Sequence, residues 1–415
     1  MLNEVYLSEV ATIIMGQSPP SSSYNLSGVG LPFFQGVRDF GYRHPSARIF
    51  CSSPTRIANP GDILFSVRAP IGRVNVAETT IATGRGIAII RANNPANSRY
   101  IEYFLKSKEN YWDLLEGSGS VFGNATKSDL SKLLIPWPDM DVAREAIGCI
   151  LGSLDDKIEL NRQMCKTLED TAQAIFKSWF IDFDPVHAKA EGKQPKGMNP
   201  AIAALFPDSF DDSHLIPKGW SLDGLDSLGT FLNGLALKKY PPTDDEWLPA
   251  IKIAQLRTND TRNADKVSSS IGKEYIVKDG DILFSWSGSL ECVLWSGGKG
   301  ALNQHLFKVT STDYPKWFVY FWIHHHLPEF RHIAAGKATT MGHIQRHHLK
   351  EAKVIIPSSN ILEIANRIID PLFENIVIRS LESKQLEYIR DLLLPQLISG
   401  SLRVSDAENI INRCR

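Results

Sequence analysis

The sequence has no surplus of basic charge. Across 415 residues, 45 Lys and Arg are set against 46 Asp and Glu, a formal net charge of −1. Nucleic-acid-binding chains usually show a basic balance, so any DNA-binding surface here has to be a local patch, offset by acidic residues elsewhere. No run of about 18 apolar residues occurs, so nothing reads as a membrane span. The start, Met1-Leu2-Asn3-Glu4, has no basic head and no apolar run, and no signal peptide is expected. The five cysteines, Cys51, Cys149, Cys165, Cys292 and Cys414, form no CxxC pair. They read as reduced thiols in a cytoplasmic protein.

The motifs of nucleotide chemistry are also missing. There is no GxxxxGK[ST] loop to cradle phosphates and no GxGxxG after a strand; Gly84-Arg85-Gly86 is too short a match. No Asp/Asn-Pro-Pro-aromatic string is present to hold a flipped amino group, since Asp184-Pro185-Val186 and Asn199-Pro200-Ala201 lack the second proline and the aromatic. Histidines cluster as His324-His325-His326, and His343 stands four residues before His347, with His348 beside it. On a helix His343 and His347 would share a face, as zinc ligands do. The HExxH pattern and a completing ligand are absent, so no metal is assigned and these histidines are expected on a polar or DNA-facing surface.

What is present is a long apolar seam. Ile147, Leu151, Leu154, Ile158, Asn161, Cys165, Leu168, Ala172, Ile175 and Trp179 alternate in steps of four and three. This is heptad spacing, which keeps one stripe facing a partner helix. Arg144, Glu145, Asp155, Asp156, Lys157, Glu159, Arg162, Lys166, Glu169 and Asp170 lie between them and read as a solvated face. Asn161 in the seam would fix register at some cost in stability. About 36 residues at ~1.5 Å each give a rod of roughly 54 Å. The expected partner is residues 361–397, with Ile368, Leu372, Ile376, Leu386, Ile389, Leu393 and Leu397 as its stripe. Pro371 should kink or start that helix.

The chain is also written twice. GDILFS occurs at 61–66 and again at 280–285, and 7–16 recurs loosely at 225–234. An aromatic-rich helix at 99–110 matches 316–330, and Gly123-Asn124-Ala125-Thr126-Lys127 matches Gly342-His343-Ile344-Gln345-Arg346. Apolar runs at 63–67, 86–90, 281–286 and 306–309 read as strands. The expected plan is therefore α/β (α+β): two similar domains, separated by a long antiparallel two-helix coiled coil with approximate twofold symmetry. The first domain spans 1–140, the first helix 141–181, a Pro- and Gly-rich crossover linker 182–220, the second domain 221–358, the second helix 359–400 and a tail 401–415.

Basic and amide side chains recur near Gly-rich loops of both copies. In the first they are Gln35, Arg38, Arg68, Arg73, Arg85, Asn124 and Lys127; in the second, Gln255, Arg257, Asn259, Gln304, His305, Lys337, His343, Gln345 and Arg346. Arg, Gln and Asn make paired contacts with base edges, and Lys and Arg neutralise phosphates. GDILFS itself reads as a turn and a buried strand.

These features, with Ile150-Leu151-Gly152-Ser153-Leu154-Asp155-Asp156-Lys157-Ile158, Trp179-Phe180-Ile181-Asp182-Phe183-Asp184-Pro185, Ile216-Pro217-Lys218-Gly219-Trp220 and Leu394-Pro395-Gln396-Leu397-Ile398-Ser399-Gly400, resemble the specificity subunit of a type I restriction–modification system. The resemblance covers nearly the whole chain. It implies two target-recognition domains, each reading half of a split double-stranded DNA site at a spacing fixed by the helices. It also implies two methyltransferase subunits and restriction subunits as partners, with S-adenosylmethionine, ATP and Mg in those partners and no catalysis or cofactor in this chain. The resemblance supplies no base-contacting residues, so the candidates above rest on the chain alone. Two other readings remain: a DNA methyltransferase in its own right, against which the missing motifs weigh, and a coiled-coil protein scaffold without DNA specificity.

Overall fold

The two GDILFS strings become the same turn and strand. In the computed structural model, which describes residues 2–117, 124–212, 216–242, 246–336 and 342–407, Gly61 and Gly280 take φ of 86° and 82°, a left-handed conformation that glycine adopts without steric cost. The aspartate that follows closes the turn. Asp62 Oδ2 accepts from the Asn59 amide at 2.7 Å, and Asp281 Oδ2 from the Lys278 amide at 2.9 Å. Ile63–Ser66 and Ile282–Ser285 are then fully buried strands. The terminal serine pins the next hairpin: Ser66 Oγ accepts from the Arg73 amide and Ser285 Oγ from the Glu291 amide, both at 2.8 Å.

The chain divides into two compact units, Met1–Leu160 with Gln385–Arg415, and Asn161–Lys384. In the first unit an antiparallel four-stranded sheet runs Ala11–Met15, Ile87–Ala92, Ile63–Ser66, Val74–Val76. In the second unit the order Thr230–Asn233, Leu306–Thr310, Ile282–Ser285, Cys292–Leu294 repeats it. Each unit has a second sheet built around one parallel pair, Leu31–Phe34 with Ile81–Thr83 and Trp247–Ile251 with Gly300–Leu302. Each also has a short antiparallel pair, Leu2–Tyr6 with Leu134–Pro138 and Ser221–Gly224 with Lys353–Ile356. Helices Ser98–Ser107 and Lys316–Ala335 fill the expected helical positions. The architecture is mixed α/β with a repeated domain.

The seam forms one continuous helix, Asp141–Phe176, and its partner is Ser359–Ile398. Within the first unit Ile147, Leu151 and Leu154 share a core with Leu393 and Leu397. Within the second, Asn161 is fully buried and its Nδ2 donates to Glu382 Oε2 at 3.0 Å. Glu382 in turn accepts from Arg379 at 2.9 Å.

Several expectations need correction. Asp155 and Arg144 do not lie on a solvated face; they are 0 % and 4 % exposed, because the domain packs over that side of the helix. Pro371 does not start the second helix, which runs through it. The buried stripe there is Ile361, Ala365, Ile369, Phe373 and Ile376, with Ile368 and Leu372 only half-buried. Residues 182–220, expected as a crossover linker, pack in part against the second unit. They contain helices Asp184–Ala190 and Pro200–Ala203, and Phe183, Val186, Phe206 and Trp220 lie in the second unit's core. Proline content signals turns but does not exclude packing where aromatics sit between the prolines.

Candidate nucleic-acid interface

Backbone hydrogen bonds gather several candidates at one end of each unit's sheets. In the first unit the Gly84 amide donates to the Phe34 carbonyl at 2.8 Å, Val67 to Gly86 at 3.0 Å, Ala125 to Val67 at 2.9 Å and Gly16 to Ile87 at 2.9 Å. Gln35, Arg68, Arg85 and Asn124 each lie next to one of these bonds, and all four are exposed. Glycine is required at 86, where a Cβ would come within 2.0 Å of the Gln35 carbonyl oxygen. Gln35 Nε2 donates to Tyr24 Oη at 3.2 Å. The Arg85 amide and Nε both donate to Ser18 Oγ at 3.4 Å. Arg38 is exposed on the short turn just after Gln35. Lys127 is exposed at the start of the helix that Thr126 caps. Arg73 is placed differently: its guanidinium is held by Glu109 at 3.0 Å and Asp113 at 2.9 Å.

The second unit repeats the bonds with other side chains. Asn303 donates to the Ile251 carbonyl at 3.2 Å, Trp286 to His305 at 3.3 Å, Ile344 to Trp286 at 2.9 Å and Gly234 to Leu306 at 3.1 Å. Residues Lys252, Ser287, Gln304 and His343 therefore stand where the first unit has Gln35, Arg68, Arg85 and Asn124. His305 Nδ1 meets Ser287 Oγ at 2.9 Å, and its Nε2 meets Gln304 Nε2 at 3.2 Å. His343 stacks edge-on to Trp286 with centroids 6.3 Å apart. A groove of about 540 Å³ opens beside Gln304 and His305, lined also by Lys238, Lys252 and Lys266.

Asn259, Gln255 and Arg346 make bonds within the fold. Asn259, at φ 51°, ends helix Ile253–Thr258, and its side chain exchanges bonds with Ser296, Nδ2 to Oγ at 2.5 Å and Ser296 N to Oδ1 at 3.1 Å. Gln255 Oε1 accepts from the Lys252 amide at 3.3 Å. Arg257 is exposed on the same helix. Gln345 caps helix Arg346–Glu351, and Arg346 Nη2 donates to the Phe231 carbonyl at 3.3 Å. Lys337 lies outside the described residues. Lys238, Lys252 and Lys266 were missed by sequence reasoning. Lys252 was open to discovery, because it follows its strand as Gln35 follows Leu31–Phe34.

Three of the clustered histidines, His324, His326 and His348, are engaged within the fold. His343 precedes helix Arg346–Glu351, so it shares no helix face with His347. Ligand atoms of His347, His348 and Glu351 do lie within 4.8 Å of one another. The Gln345 amide donates to His348 Nδ1 at 2.9 Å, which leaves the neutral ring's proton on Nε2 and no lone pair there for a cation. His324 Nε2 donates to the Cys292 carbonyl at 3.0 Å and His326 Nε2 to that of Lys353 at 2.8 Å, so both rings are engaged within the fold. Burial pushes the His324 imidazole below its ordinary 6.5. At pH values between its folded and unfolded pKa, the ring is neutral in the fold and takes up a proton on unfolding. Its stabilisation is complete above about 6.5 and is lost as pH falls. Denaturation midpoints at pH 7.5 and 5.5 should show a drop for the wild type and a smaller one for His324→Gln.

Among the described residues no helix is long and apolar enough to cross a membrane. Comparison with known proteins adds the lineage. Residues 2–170 and 217–388 match the family model described as the type I restriction modification DNA specificity domain. The chain is 40 % identical over 164 residues to the putative type I restriction enzyme MjaX specificity subunit of Methanocaldococcus jannaschii, a match covering 39 % of this chain and 38 % of that protein. It is 27 % identical over 384 residues to the MjaIX specificity subunit of the same organism, covering 88 % of this chain and 83 % of the relative. The fold is similar to the crystal structure of the type I restriction–modification S subunit from M. genitalium, with TM-score 0.57, 14 % identity and 96 % of each chain covered. With its two matched domains, the chain belongs to the specificity subunits of type I restriction–modification systems.

Proposed function

We propose that the chain reads a bipartite double-stranded DNA site, one half-site per unit, and carries no catalysis of its own. The observation that supports this most is the repeated frame: the same backbone bonds in both units, with Gln35, Arg68, Arg85 and Asn124 exchanged for Lys252, Ser287, Gln304 and His343. A constant scaffold carrying different polar side chains suits two readers of two sequences, although Ser287 is buried and bonded to His305 and presents no tip of its own. Base edges in the major groove distinguish all four base pairs, so few side chains suffice. In this reading two methyltransferase subunits and restriction subunits dock on the chain, and S-adenosylmethionine, ATP and Mg belong to them. Tyr388 and Leu392, one helical turn apart and 71 % and 43 % exposed, offer an apolar face for such a partner.

The paired helices act as an antiparallel coiled-coil ruler. Asn161 bonds Glu382, so a register-preserving deletion takes one heptad from each helix, 158–164 and 379–385. Seven residues at ~1.5 Å remove about 10 Å, or roughly three base pairs. Methylation mapping in a host carrying the chain with its cognate methyltransferase is the test. A bipartite motif that disappears with the chain is expected, and the double deletion should shorten its spacer while both half-sites persist. If no motif depends on the chain, the DNA-reading role fails and a protein scaffold takes its place.

A further inference from the structure

The turn that links the parallel strand to the central strand occupies the same position in both units: Ile87 N donates to the Gly84 carbonyl at 3.1 Å, and Leu306 N to that of Asn303 at 3.0 Å. Arg85 is the tip of the first turn and Gln304 the tip of the second. Each side chain spends one donor on its own fold. Arg85 Nε is held by Ser18 Oγ at 3.4 Å, which leaves both Nη groups. Among the described residues Arg85 makes no ion pair, unlike Arg73. Gln304 Nε2 gives one hydrogen to His305 Nε2 at 3.2 Å, and His305 Nδ1 gives its own to Ser287 Oγ at 2.9 Å. This chain of bonds orients the carboxamide and leaves Oε1 and the second amide hydrogen.

The two remaining faces differ in chemistry. A fork of two donors matches guanine O6 and N7. A donor beside an acceptor matches adenine N7 and N6. Resting on the DNA-reading role proposed above, we infer that the turn tip is a specificity-determining position: Arg85 reads a guanine in one half-site and Gln304 an adenine in the other. Both tips lie on turns that backbone bonds clamp to neighbouring strands, so the side chain changes without rebuilding the loop.

Methylation mapping of the full complex with wild type, Arg85→Gln and Gln304→Arg tests this. Arg85→Gln should shift one position of one half-site from G·C to A·T. Gln304→Arg should make the reverse change in the other half-site. Each variant should lose the original site by roughly tenfold to a hundredfold, with the opposite half-site unchanged. A bipartite wild-type motif that both variants retain overturns the inference and leaves the DNA-reading role intact. A wild type without any motif defeats that role itself. Where a variant methylates nothing, binding of the purified complex to duplexes carrying each base pair at every half-site position decides. A changed base preference supports the assignment, and equal weakening for all four marks a phosphate contact and overturns it.

Discussion

Replacing Asp155 by alanine is expected to destabilise the first unit by about 3 kcal/mol or more, the cost of stripping one partner from a buried ion pair. Asp155 is fully buried. It accepts from Tyr42 Oη at 2.9 Å, Tyr103 Oη at 2.7 Å, Lys106 Nζ at 3.0 Å and Arg390 Nη1 at 2.7 Å. These groups come from a loop, a domain helix and the second long helix, so one carboxylate ties three elements together. Burial alone would push its pKa up, but Lys106 and Arg390 outweigh it and hold the carboxyl below its ordinary 3.8. With the folded pKa depressed, the stabilisation is present above the unfolded value and lost only as pH falls through the folded one. The difference between wild type and variant should therefore stay constant from pH 5 to 8. Denaturant unfolding measures it, and adding Arg390→Ala to Asp155→Ala should cost less than the two separate losses combined. A single-variant loss below about 1 kcal/mol would show that the network is dispensable.

Phe176→Ala should cost the second unit about 3–5 kcal/mol, as for other large aromatics removed from a core. Phe176 is 2 % exposed and its ring lies 5.4 Å from Trp322, 5.5 Å from Phe321, 5.6 Å from Phe180 and 6.1 Å from Phe318. It ends the first long helix and anchors that end in the domain's aromatic core. Phe176→Leu keeps much of the volume and should lose less than half as much. Tryptophan fluorescence during urea unfolding reports the change, since Trp322 and Trp317 lie in the same core. Equal losses for both variants would mean that volume is not what Phe176 supplies.

The repeat and both long helices were legible because their signals are local: a string used twice, and a period that persists across 36 residues. Asp155 was misread because heptad spacing marks only the stripe that meets the partner helix. It cannot reveal that a domain covers a second side, where Tyr42 and Tyr103 reach the carboxylate. The aromatic packing within 182–220 was hidden in the same way, since contacts such as Trp179 with Phe206 at 5.2 Å depend on chain folding. Among the candidate residues, sequence matching proposed Arg85 and Gln304 together with Arg73 and Asn259 and could not tell one pair from the other. Whether a polar side chain is free or already engaged is settled by neighbours such as Glu109 and Ser296.

The divided first unit has a consequence for synthesis. Residues 161–384 form the second unit from one unbroken segment, whereas the first needs 1–160 together with residues from 385 onward. On the ribosome the part translated first is thus completed last, when Arg390, Leu393 and Leu397 emerge. Until then Asp155 lacks one of its two cations, and Leu151 and Leu154 lack their neighbours from the second helix. A chain released before residue 385 would carry an intact late unit and an unfinished early one, open to proteases that a full-length chain resists.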